Sequence, residues 1–398
     1  MKIVIQKFGG TSLQNAEIRD KAAEHISSAI KEGFTPVVVV SAMGRIGDPY
    51  ATDTLLQTAA SIFENISPRE KDQIMSCGEL ISAVVMVQTL KQKNIAAVAL
   101  NGMQAGIITD ENYNQANIQK VIPDNILNAI KNSKVPIVTG FQGISEHGEI
   151  TTFGRGGSDT TASILAAALK ADHIEIYSDV EGLLTADPNQ ILDARHIPKA
   201  SYIEAVEMAN KGANVIHPKA VQIASQYKIP IKLFSTSNIK RSTDIFEMKN
   251  NRPVTGITSK TDIIYTRIFP NKQSIHKTGL NIFQTLALQN ISVDFIDITP
   301  DLISFIIDEE MENKFIEILK ENNYKFKTEK DFSKISVIGS GMTGMPGVMA
   351  KVVKALSSKD IMIYECTDSY TTISCLVKSL DENKAIMALH KEFELGNN

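Results

Sequence analysis

The stretch KIVIQKFGGTS at positions 2–12 predicts the first strand of the chain and the glycine turn that follows it. Residues 2–8 are rich in Ile and Val, which favours a β-strand, and side-chain alternation puts Lys7 on the same face as two isoleucines. A charge therefore interrupts an apolar face just where the strand ends. Gly9 and Gly10 follow, and glycines let a backbone approach a ligand closely while their N–H groups bind phosphate. The pattern fits a phosphate site and, equally, a solvated lysine before an ordinary turn.

Short apolar runs and longer helical patterns alternate up to about residue 245. Strands are predicted at 2–8, 36–41, 95–101, 134–140, 173–178 and 230–234. Helices are predicted at 15–32, 79–93, 159–171, 201–211 and 217–228. Several strands are apolar almost throughout, as expected of strands covered on both faces. This alternation predicts a three-layer α/β domain over residues 1–245, with a mostly parallel sheet between helical layers.

The composition of the chain excludes several classes of protein. Of its 398 residues, 43% are hydrophobic and 22% charged, unlike collagen, coiled coils or disordered chains, and the length predicts two or three domains. The 41 basic and 45 acidic residues are intermixed, without the basic footprint of a nucleic-acid binder. Three scattered cysteines fit a reducing cytosol. Without a recognisable signal peptide or apolar span, we expect a cytoplasmic protein with no membrane or nucleic-acid partner.

The C-terminal part of the chain contains a repeat. The run LALQNISVDFIDI (286–298) superimposes on LSSKDIMIYECTD (356–368) at an offset of seventy positions. The strand and the helix that follow keep the same register in both copies, which is hard to produce by chance. Each copy reads strand–helix–strand–strand–helix, the pattern of a small split-βαβ module. Two such modules, over residues 254–330 and 331–398, are therefore predicted after the α/β domain.

A second glycine cluster, FGRGGSDTT at positions 153–161, precedes a predicted helix. A helix N-terminus that follows glycines, here Gly156 and Gly157, binds anions, and Arg155 adds a forked donor for a carboxylate or phosphate. Asp159 either caps the helix or orients a lysine or a metal, because a carboxylate beside a phosphate pocket is otherwise repulsive. Ligands bind at the carboxyl edge of an open α/β sheet, where the first strand also ends.

Two further segments carry polar residues at the ends of predicted elements. SCGE (76–79) opens the helix predicted at 79–93, so Glu79 either complements the helix dipole or binds an ammonium group in a cleft. YSDVEG (177–182) ends a strand and is followed by TADP (185–188). Together these two runs read as a ligand-facing loop, although turn chemistry alone explains their glycine and proline.

Taken in order, these segments resemble the aspartate kinase (aspartokinase) family of the amino-acid kinase superfamily. The matching stretches are KFGGTS (7–12), FGRGGSDTT (153–161), TADP (185–188) and GANVIHP (212–218). The two C-terminal repeats look like ACT modules, the ferredoxin-like (βαββαβ) units with which aspartokinases sense end-product amino acids. The resemblance covers essentially the whole chain.

The resemblance implies roles for individual residues. Lys7 would bridge the ATP phosphates and the aspartate carboxylate, and Asp159 would orient Lys7, so both would be catalytic. Leu184 stands where many relatives carry an aromatic residue near adenine. Glu79 would bind the substrate ammonium group and Arg155 a carboxylate. The implied ATP site is Lys7, Gly9, Gly10, Ser41, Ser178, Asp179, Leu184 and Asp187. The implied aspartate site is Thr52, Glu79, Arg155, Gly156, Gly157 and Ser158.

The last module departs from the run that lysine- or threonine-inhibited aspartokinases commonly carry. Its run DSYTTIS (368–374), together with GDPYATD (47–53) and ISVDF (291–295), resembles the diaminopimelate-sensitive type. The resemblance implies meso-diaminopimelate as the allosteric effector, with lysine second. The implied effector contacts are Asp294, Asp368 and Ser369.

The implied activity is transfer of the ATP γ-phosphoryl group to the side-chain carboxylate of L-aspartate. This is the first step towards lysine, diaminopimelate, threonine and methionine. ATP and Mg²⁺ are the implied cofactors, with no protein metal ligand, and the carboxylate is already ionised at pH 7, so no strong general base is needed. A kinase for another amino acid such as glutamate, and a catalytically inert amino-acid-binding regulator, are the alternatives. A homodimer or higher homo-oligomer through the ACT modules is expected.

Overall fold

The computed structural model describes residues 2–213, 215–248, 252–270, 275–342 and 345–396. The chain divides into two compact units. The first unit comprises Met1–Leu184 and His196–Asn250, and the second comprises Thr185–Arg195 and Asn251–Asn398.

The first unit alternates strands and helices along the sequence. Its strands are β1 (Lys2–Phe8), β2 (Phe34–Val40), β3 (Ala97–Leu100), β4 (Ile107–Thr109), β5 (Ile118–Val121), β6 (Val135–Thr139), β7 (Gln142–Ser145), β8 (Ile150–Thr152), β9 (His173–Ser178), β10 (Lys199–Ser201), β11 (Ile231–Ser235) and β12 (Ser242–Phe246). Its helices are α1 (Ala16–Lys31), α2 (Thr52–Ala60), α3 (Pro68–Gln92), α4 (Asp124–Lys131), α5 (Gly157–Leu169), α6 (Tyr202–Asn210) and α7 (Pro218–Gln226).

Eight of these strands form the main sheet, in the order β10-β12-β11-β9-β1-β2-β6-β3. The six strands from β11 to β3 in that order are parallel, and β12 pairs antiparallel with β11. Each predicted strand is present, displaced by at most two residues at either end. The prediction of a mostly parallel α/β sheet is confirmed, and the carboxyl ends of β9, β1, β2 and β6 meet at one edge.

Strand alternation sends the residues of β1 to opposite faces of the sheet. Phe8 packs with Val40 and with apolar residues of α1 and α3 in one buried cluster. Lys7 points the other way, towards α5, which contacts β1 and β9. A smaller sheet in the order β5-β4-β7-β8 completes the unit.

Helix α3 is longer than the sequence predicted. It begins at Pro68, where the Ser67 hydroxyl accepts a hydrogen bond from the Glu70 N–H at 3.3 Å. It runs unbroken through Gly78, where a Cβ would come within 2.7 Å of the Ala42 Cβ. Glu79 therefore lies in the middle of a 25-residue helix. The interpretation of Glu79 as a first-turn residue that complements the helix dipole is wrong.

Helix α3 is also the one helix in the described part of the chain with the length and hydropathy of a membrane span. Of its apolar window, 44% is buried in the protein, and its buried residues include the carboxylates of Asp72 and Glu79. That combination is typical of a core helix of a soluble protein.

The second unit contains the two predicted modules. Its strands are β13 (Gly256–Lys260), β14 (Ile263–Ile268), β15 (Asp294–Thr299), β16 (Leu302–Asp308), β17 (Phe326–Glu329), β18 (Phe332–Ile338), β19 (Glu365–Asp368) and β20 (Thr372–Lys378). Its helices are α8 (Ile275–Leu288), α9 (Glu312–Glu321), α10 (Val348–Ser357) and α11 (Glu382–Glu392). The sheets have the orders β15-β16-β14-β17 and β13-β18-β20-β19. The first module is therefore a four-stranded βαββαβ unit. The second runs βαββα from β18 to α11 and takes β13 as its fourth strand.

Two segments of the second unit differ from the predicted domain ranges. Strand β13 precedes the first module in sequence but pairs with β18 of the second, so the first module is nested within the second. Thr185–Arg195 lies between elements of the first unit in sequence but groups with the second unit. Its Ala186 and Ile191 are buried in the core of the second module. These segments pack against residues that are distant in the sequence, so the local sequence does not predict the contacts.

Candidate active site

A cavity of about 320 Å³ lies at the carboxyl edge of the main sheet in the first unit. It collects residues from the ends of β1 and β2, the first turn of α2, the middle of α3 and the N-terminus of α5. Predicted site residues that line it are Lys7, Gly10, Ser41, Thr52, Glu79, Arg155, Gly156, Gly157, Ser158 and Asp159. Ten residues from separate parts of the sequence thus surround one space.

Lys7 and Asp159 form an ion pair at this cavity. Lys7 Nζ lies 2.7 Å from Asp159 Oδ1, and the side chains are 12% and 11% exposed. The other oxygen, Asp159 Oδ2, accepts the backbone N–H of His217 at 3.1 Å. Asp159 is therefore not merely a helix cap: it holds the ammonium group of Lys7 at the end of β1.

The N-terminus of α5 requires glycine for steric reasons. Gly156, which precedes the helix, has φ of +68°, in the left-handed region that favours glycine. A Cβ there would come within 2.0 Å of the His217 ring. A Cβ on Gly10 would come within 2.6 Å of the Gly44 carbonyl oxygen on the opposite wall. Close backbone approach explains both glycines. The Gly157 N–H already donates to the Gly154 carbonyl oxygen at 3.1 Å, and Ser158 and Asp159, the next two residues of α5, line the cavity.

Glu79 is buried in the cavity wall, and its carboxyl group is half satisfied. Oε1 accepts the backbone N–H of Ala42 at 3.1 Å, whereas Oε2 is buried and has no hydrogen-bond partner. Burial raises the pKa of Glu79 to about 8, although the Ala42 hydrogen bond opposes the shift. An ammonium group of a ligand would satisfy Oε2 and favour the ionised carboxylate.

Other predicted ATP-site residues lie outside this cavity. The Gly9 N–H donates to the Tyr177 carbonyl oxygen at 3.1 Å, so it is already hydrogen-bonded. Ser178 and Asp179 follow β9, and Leu184 forms an isolated bridge with His196. Asp187 lies in the second unit. The Asp187 carboxylate accepts the Asn189 backbone N–H at 2.8 Å, which closes a turn.

Eight residues that line the cavity were not predicted from the sequence, and Arg45 and Phe141 are the two with a notable contact or backbone conformation. Arg45 lines the cavity and forms an ion pair with Asp179. Phe141 lines it with φ of +70°, uncommon for a bulky residue, and its N–H donates to Thr161 Oγ1 at 3.0 Å. Gly140 indicates a turn in the sequence, but it does not predict the positive φ of Phe141. Nothing in the sequence around Arg45 distinguishes it from a solvated arginine.

The predicted effector residues lie in the second unit and do not come together. Asp368 and Ser369 line a cavity of about 780 Å³ in the second ACT-like module. Asp294 instead forms an ion pair with Lys334, whose side chain is 1% exposed. The Ser369 hydroxyl also accepts the Thr372 N–H at 3.1 Å, so it stabilises the turn of the β19–β20 hairpin.

Among the residues that the structure describes, no three His, Cys, Asp or Glu side chains cluster closely enough to hold a metal ion. The carboxylates at the active-site cavity are those of Asp53, Glu79 and Asp159. Since Asp159 already contacts Lys7 and His217, a divalent cation here would take most of its ligands from a bound phosphate chain.

Comparison with known proteins agrees with this arrangement. Residues 2–235 match the model of the amino acid kinase family, and residues 327–391 match an ACT domain. Aspartokinase 1 of Bacillus subtilis (strain 168) is 42% identical, with 99% of this chain and 100% of that protein covered. Aspartokinase 2 of the same organism is 38% identical, with coverage of 99% and 98%.

Solved structures share the fold. The crystal structure of E. coli aspartokinase III in complex with aspartate and ADP has a TM-score of 0.78, with 98% of this chain and 99% of that chain covered, at 23% identity. Aspartate kinase from Synechocystis is 33% identical, with a TM-score of 0.55 and coverage of 98% and 69%. The α/β unit carries a lysine–aspartate pair at its sheet edge, ACT modules follow it, and two aspartokinases match the chain over its full length. This chain therefore belongs to the aspartokinase family and is an aspartate kinase.

Proposed function

We propose that this chain transfers the γ-phosphoryl group of ATP to the side-chain carboxylate of L-aspartate, giving 4-phospho-L-aspartate. The observation that carries the proposal is the Lys7–Asp159 pair, 2.7 Å apart, in a cavity that also holds the unpaired Oε2 of Glu79. The product supplies the route to lysine, diaminopimelate, threonine and methionine. The crystal structure of the E. coli relative contains aspartate and ADP, which supports both substrates.

Aspartate would be held by groups of opposite charge. Glu79 binds the α-ammonium group through Oε2, and this contact is worth more in a buried site than in water because the carboxyl group has no other partner for that oxygen. Arg155 and the N-terminus of α5 at Ser158 bind the carboxylates. Thr52, at the first turn of α2, adds a hydroxyl group on the same cavity.

ATP would place its phosphate chain between Lys7 and the glycines of the cavity wall. Lys7 bridges the transferred phosphoryl group and the attacking carboxylate, while Asp159 acts as a positioning residue for Lys7. Arg45 joins Ser41 beside the phosphates. Mg²⁺ bound to the phosphates would neutralise charge that develops during transfer.

The attacking group needs no general base. An aspartate side chain has a pKa near 3.9 and is ionised at pH 7. Its carboxylate oxygen forms the new bond to the γ-phosphorus as the bond to the β–γ bridging oxygen breaks, and ADP leaves. Catalysis then depends on alignment and charge neutralisation, which Lys7 and Arg155 can supply from the protein side.

An amino-acid effector would bind the second unit and inhibit the enzyme. Asp368 and Ser369 at the 780 Å³ cavity offer a carboxylate and a hydroxyl group. Such groups suit meso-diaminopimelate, which has two amino-acid ends, and lysine second. A relative from E. coli has been crystallised with lysine and aspartate. We further propose a cytoplasmic homodimer or higher homo-oligomer assembled through the ACT modules, with no nucleic-acid or membrane partner.

Turnover with defined acceptors tests the proposed reaction. Purified protein is incubated with ATP, Mg²⁺ and either L-aspartate or L-glutamate, and hydroxylamine traps the acyl phosphate. Aspartyl hydroxamate without glutamyl hydroxamate is the expected result. Product with glutamate alone would assign the chain to another amino-acid kinase. No product with either acceptor would make it an inert amino-acid-binding regulator.

A further inference from the structure

Two of the three cysteines lie opposite each other in the second ACT module. Strands β19 and β20 form a hairpin in which the Ser369 N–H donates to the Thr372 carbonyl oxygen at 2.8 Å, and Cys366 pairs directly with Cys375. Hydrogen-bonded and non-hydrogen-bonded pairs alternate along an antiparallel ladder. Counted back from Ser369 and Thr372, the cysteines form a non-hydrogen-bonded pair.

This register suits a covalent bond between the two cysteines. Non-hydrogen-bonded pairs bring their Cα atoms to about 4.5 Å, which is within the range that a disulfide spans. The Sγ atoms of Cys366 and Cys375 are 3.6 Å apart. A small rotation of the two side chains, without movement of the strands, is enough to bring the sulfurs to bonding distance.

The two thiols differ in exposure and in acidity. Cys366 is exposed on the edge strand β19, whereas Cys375 is 2% exposed on β20. A hydrogen bond from the Cys375 thiol lowers the pKa of Cys366, although burial and the Asp368 charge oppose that shift. The same hydrogen bond, with burial, raises the pKa of Cys375. The accessible sulfur is therefore also the better nucleophile.

We propose that Cys366 and Cys375 are a peroxide-sensitive thiol–disulfide site in the regulatory unit. The Cys366 thiolate attacks hydrogen peroxide: an S–O bond forms, the O–O bond breaks and hydroxide is released. Cys366 is then a sulfenic acid. The Cys375 sulfur then attacks the Cys366 sulfur, so that an S–S bond forms, the S–O bond breaks and water leaves with the Cys375 proton. One peroxide accepts two electrons from the two thiols, and a dithiol reductant returns them.

The site adjoins the proposed effector cavity. Cys366 Sγ lies 3.9 Å from Met349 Sδ, and Met349, Asp368 and Ser369 all line that cavity. A disulfide draws Cys366 away from Met349 and ties the edge strand that carries Asp368 to the buried strand β20. We expect the oxidised module to bind its effector more weakly. This consequence rests on the proposed function, whereas formation of the disulfide does not.

Peptide mapping of the full chain tests the disulfide. Reduced protein is treated with about one equivalent of hydrogen peroxide, alkylated, digested and analysed by mass spectrometry. We expect one peptide with an internal Cys366–Cys375 disulfide, lighter by two hydrogen atoms than its reduced form and restored by dithiothreitol, while Cys77 stays alkylated. Conversion of Cys366 to sulfinic or sulfonic acid with Cys375 still alkylated would overturn the proposal, as would no loss of free thiol.

A variant and an inhibition assay extend the test. In Cys375→Ala, the sulfenic acid on Cys366 has no resolving thiol, so dimedone should trap it; the wild-type map decides the proposal even where this variant does not fold. Oxidation should raise the half-inhibitory concentration of meso-diaminopimelate or lysine at least about fivefold in the wild type and not in Cys366→Ser. An unchanged inhibition curve with the disulfide formed would overturn the regulatory consequence. Reduced protein that neither amino acid inhibits would refute the proposed effector and leave the disulfide map standing.

Discussion

Lys7 Nζ and Asp159 Oδ1 lie 2.7 Å apart, and both side chains are almost nine-tenths buried. The pair joins the end of β1 to the first turn of α5, and Asp159 extends it to the backbone of His217. A lysine held in this way keeps its charge in one place while a phosphate chain binds. The pair thus converts a sequence feature, a charge at the end of an apolar strand, into a fixed electrostatic element of the site.

Asp159→Asn should lower kcat by about 100-fold, because Lys7 loses the charge that orients it. KM for ATP should change much less, since the Lys7 side chain itself is still present at the site. Steady-state kinetics with both substrates measures the two constants separately. Asp172→Asn is the matched control: Asp172 is a half-exposed aspartate that contacts His173 instead. A fall in the thermal stability of Asp159→Asn with kcat unchanged would reduce Asp159 to a structural residue.

Glu79→Gln should raise KM for aspartate by about 10- to 100-fold and leave KM for ATP near its wild-type value, because a charge-assisted hydrogen bond to the substrate ammonium group is lost.

The wild type should also show a pH dependence. Burial raises the pKa of Glu79 to about 8, so at pH 6 the free enzyme holds a proton there that must leave when the ammonium group binds.

As the pH rises from 6 to 8, less free energy is needed to ionise Glu79, and KM for aspartate should fall by up to about 50-fold. Glu79→Gln should lose this dependence because an amide does not titrate. Initial rates at fixed saturating ATP over this pH range provide the measurement. The same slope in wild type and variant would assign the titration to another group.

Part of this site could be predicted from the sequence. Strand alternation and the charge at position 7 predict Lys7 at the ligand site. The helix N-terminus that follows two glycines predicts Asp159 at the same site. The burial of Glu79 in the middle of a helix could not be predicted, because a glycine such as Gly78 usually indicates a helix boundary. Here Gly78 is required by the close approach of Ala42. The hydrogen bond from the Gly9 N–H to Tyr177 is also tertiary. For the same reason the burial of Ala186 and Ile191 in the second unit could not be predicted.

Gly156→Ala should lower kcat about tenfold or more, because a Cβ 2.0 Å from the His217 ring displaces the segment that donates to Asp159. Gly148→Ala is a matched control for backbone strain. Gly148 also has a positive φ, +83°, but a Cβ there would meet nothing within 4 Å. The positive φ should cost roughly 1 kcal/mol of stability in both variants, and the clash with His217 should add to that cost in Gly156→Ala. Equal activity loss in both variants would show that strain alone, and not the His217 contact, matters.

Asp294 and Asp368 should respond differently to substitution by alanine. Asp294→Ala removes the carboxylate that pairs with the nearly buried Lys334, so the second unit should lose on the order of 2 kcal/mol of stability. Asp368→Ala should leave stability unchanged and raise the half-inhibitory effector concentration. Urea unfolding and inhibition curves with meso-diaminopimelate and lysine separate the two effects. An Asp294→Ala protein of normal stability and lost inhibition would restore Asp294 as a direct effector contact.

Hydroxylamine trapping with the wild type and Lys7→Ala, under saturating ATP, Mg²⁺ and L-aspartate, tests the role of Lys7 in phosphoryl transfer. We expect aspartyl hydroxamate from the wild type and a loss of at least about a thousandfold in the variant, because the variant lacks the positive charge that bridges the two substrates. Circular dichroism must show that the variant is folded. A folded Lys7→Ala that forms aspartyl hydroxamate at nearly the wild-type rate would contradict the central role of the Lys7–Asp159 pair.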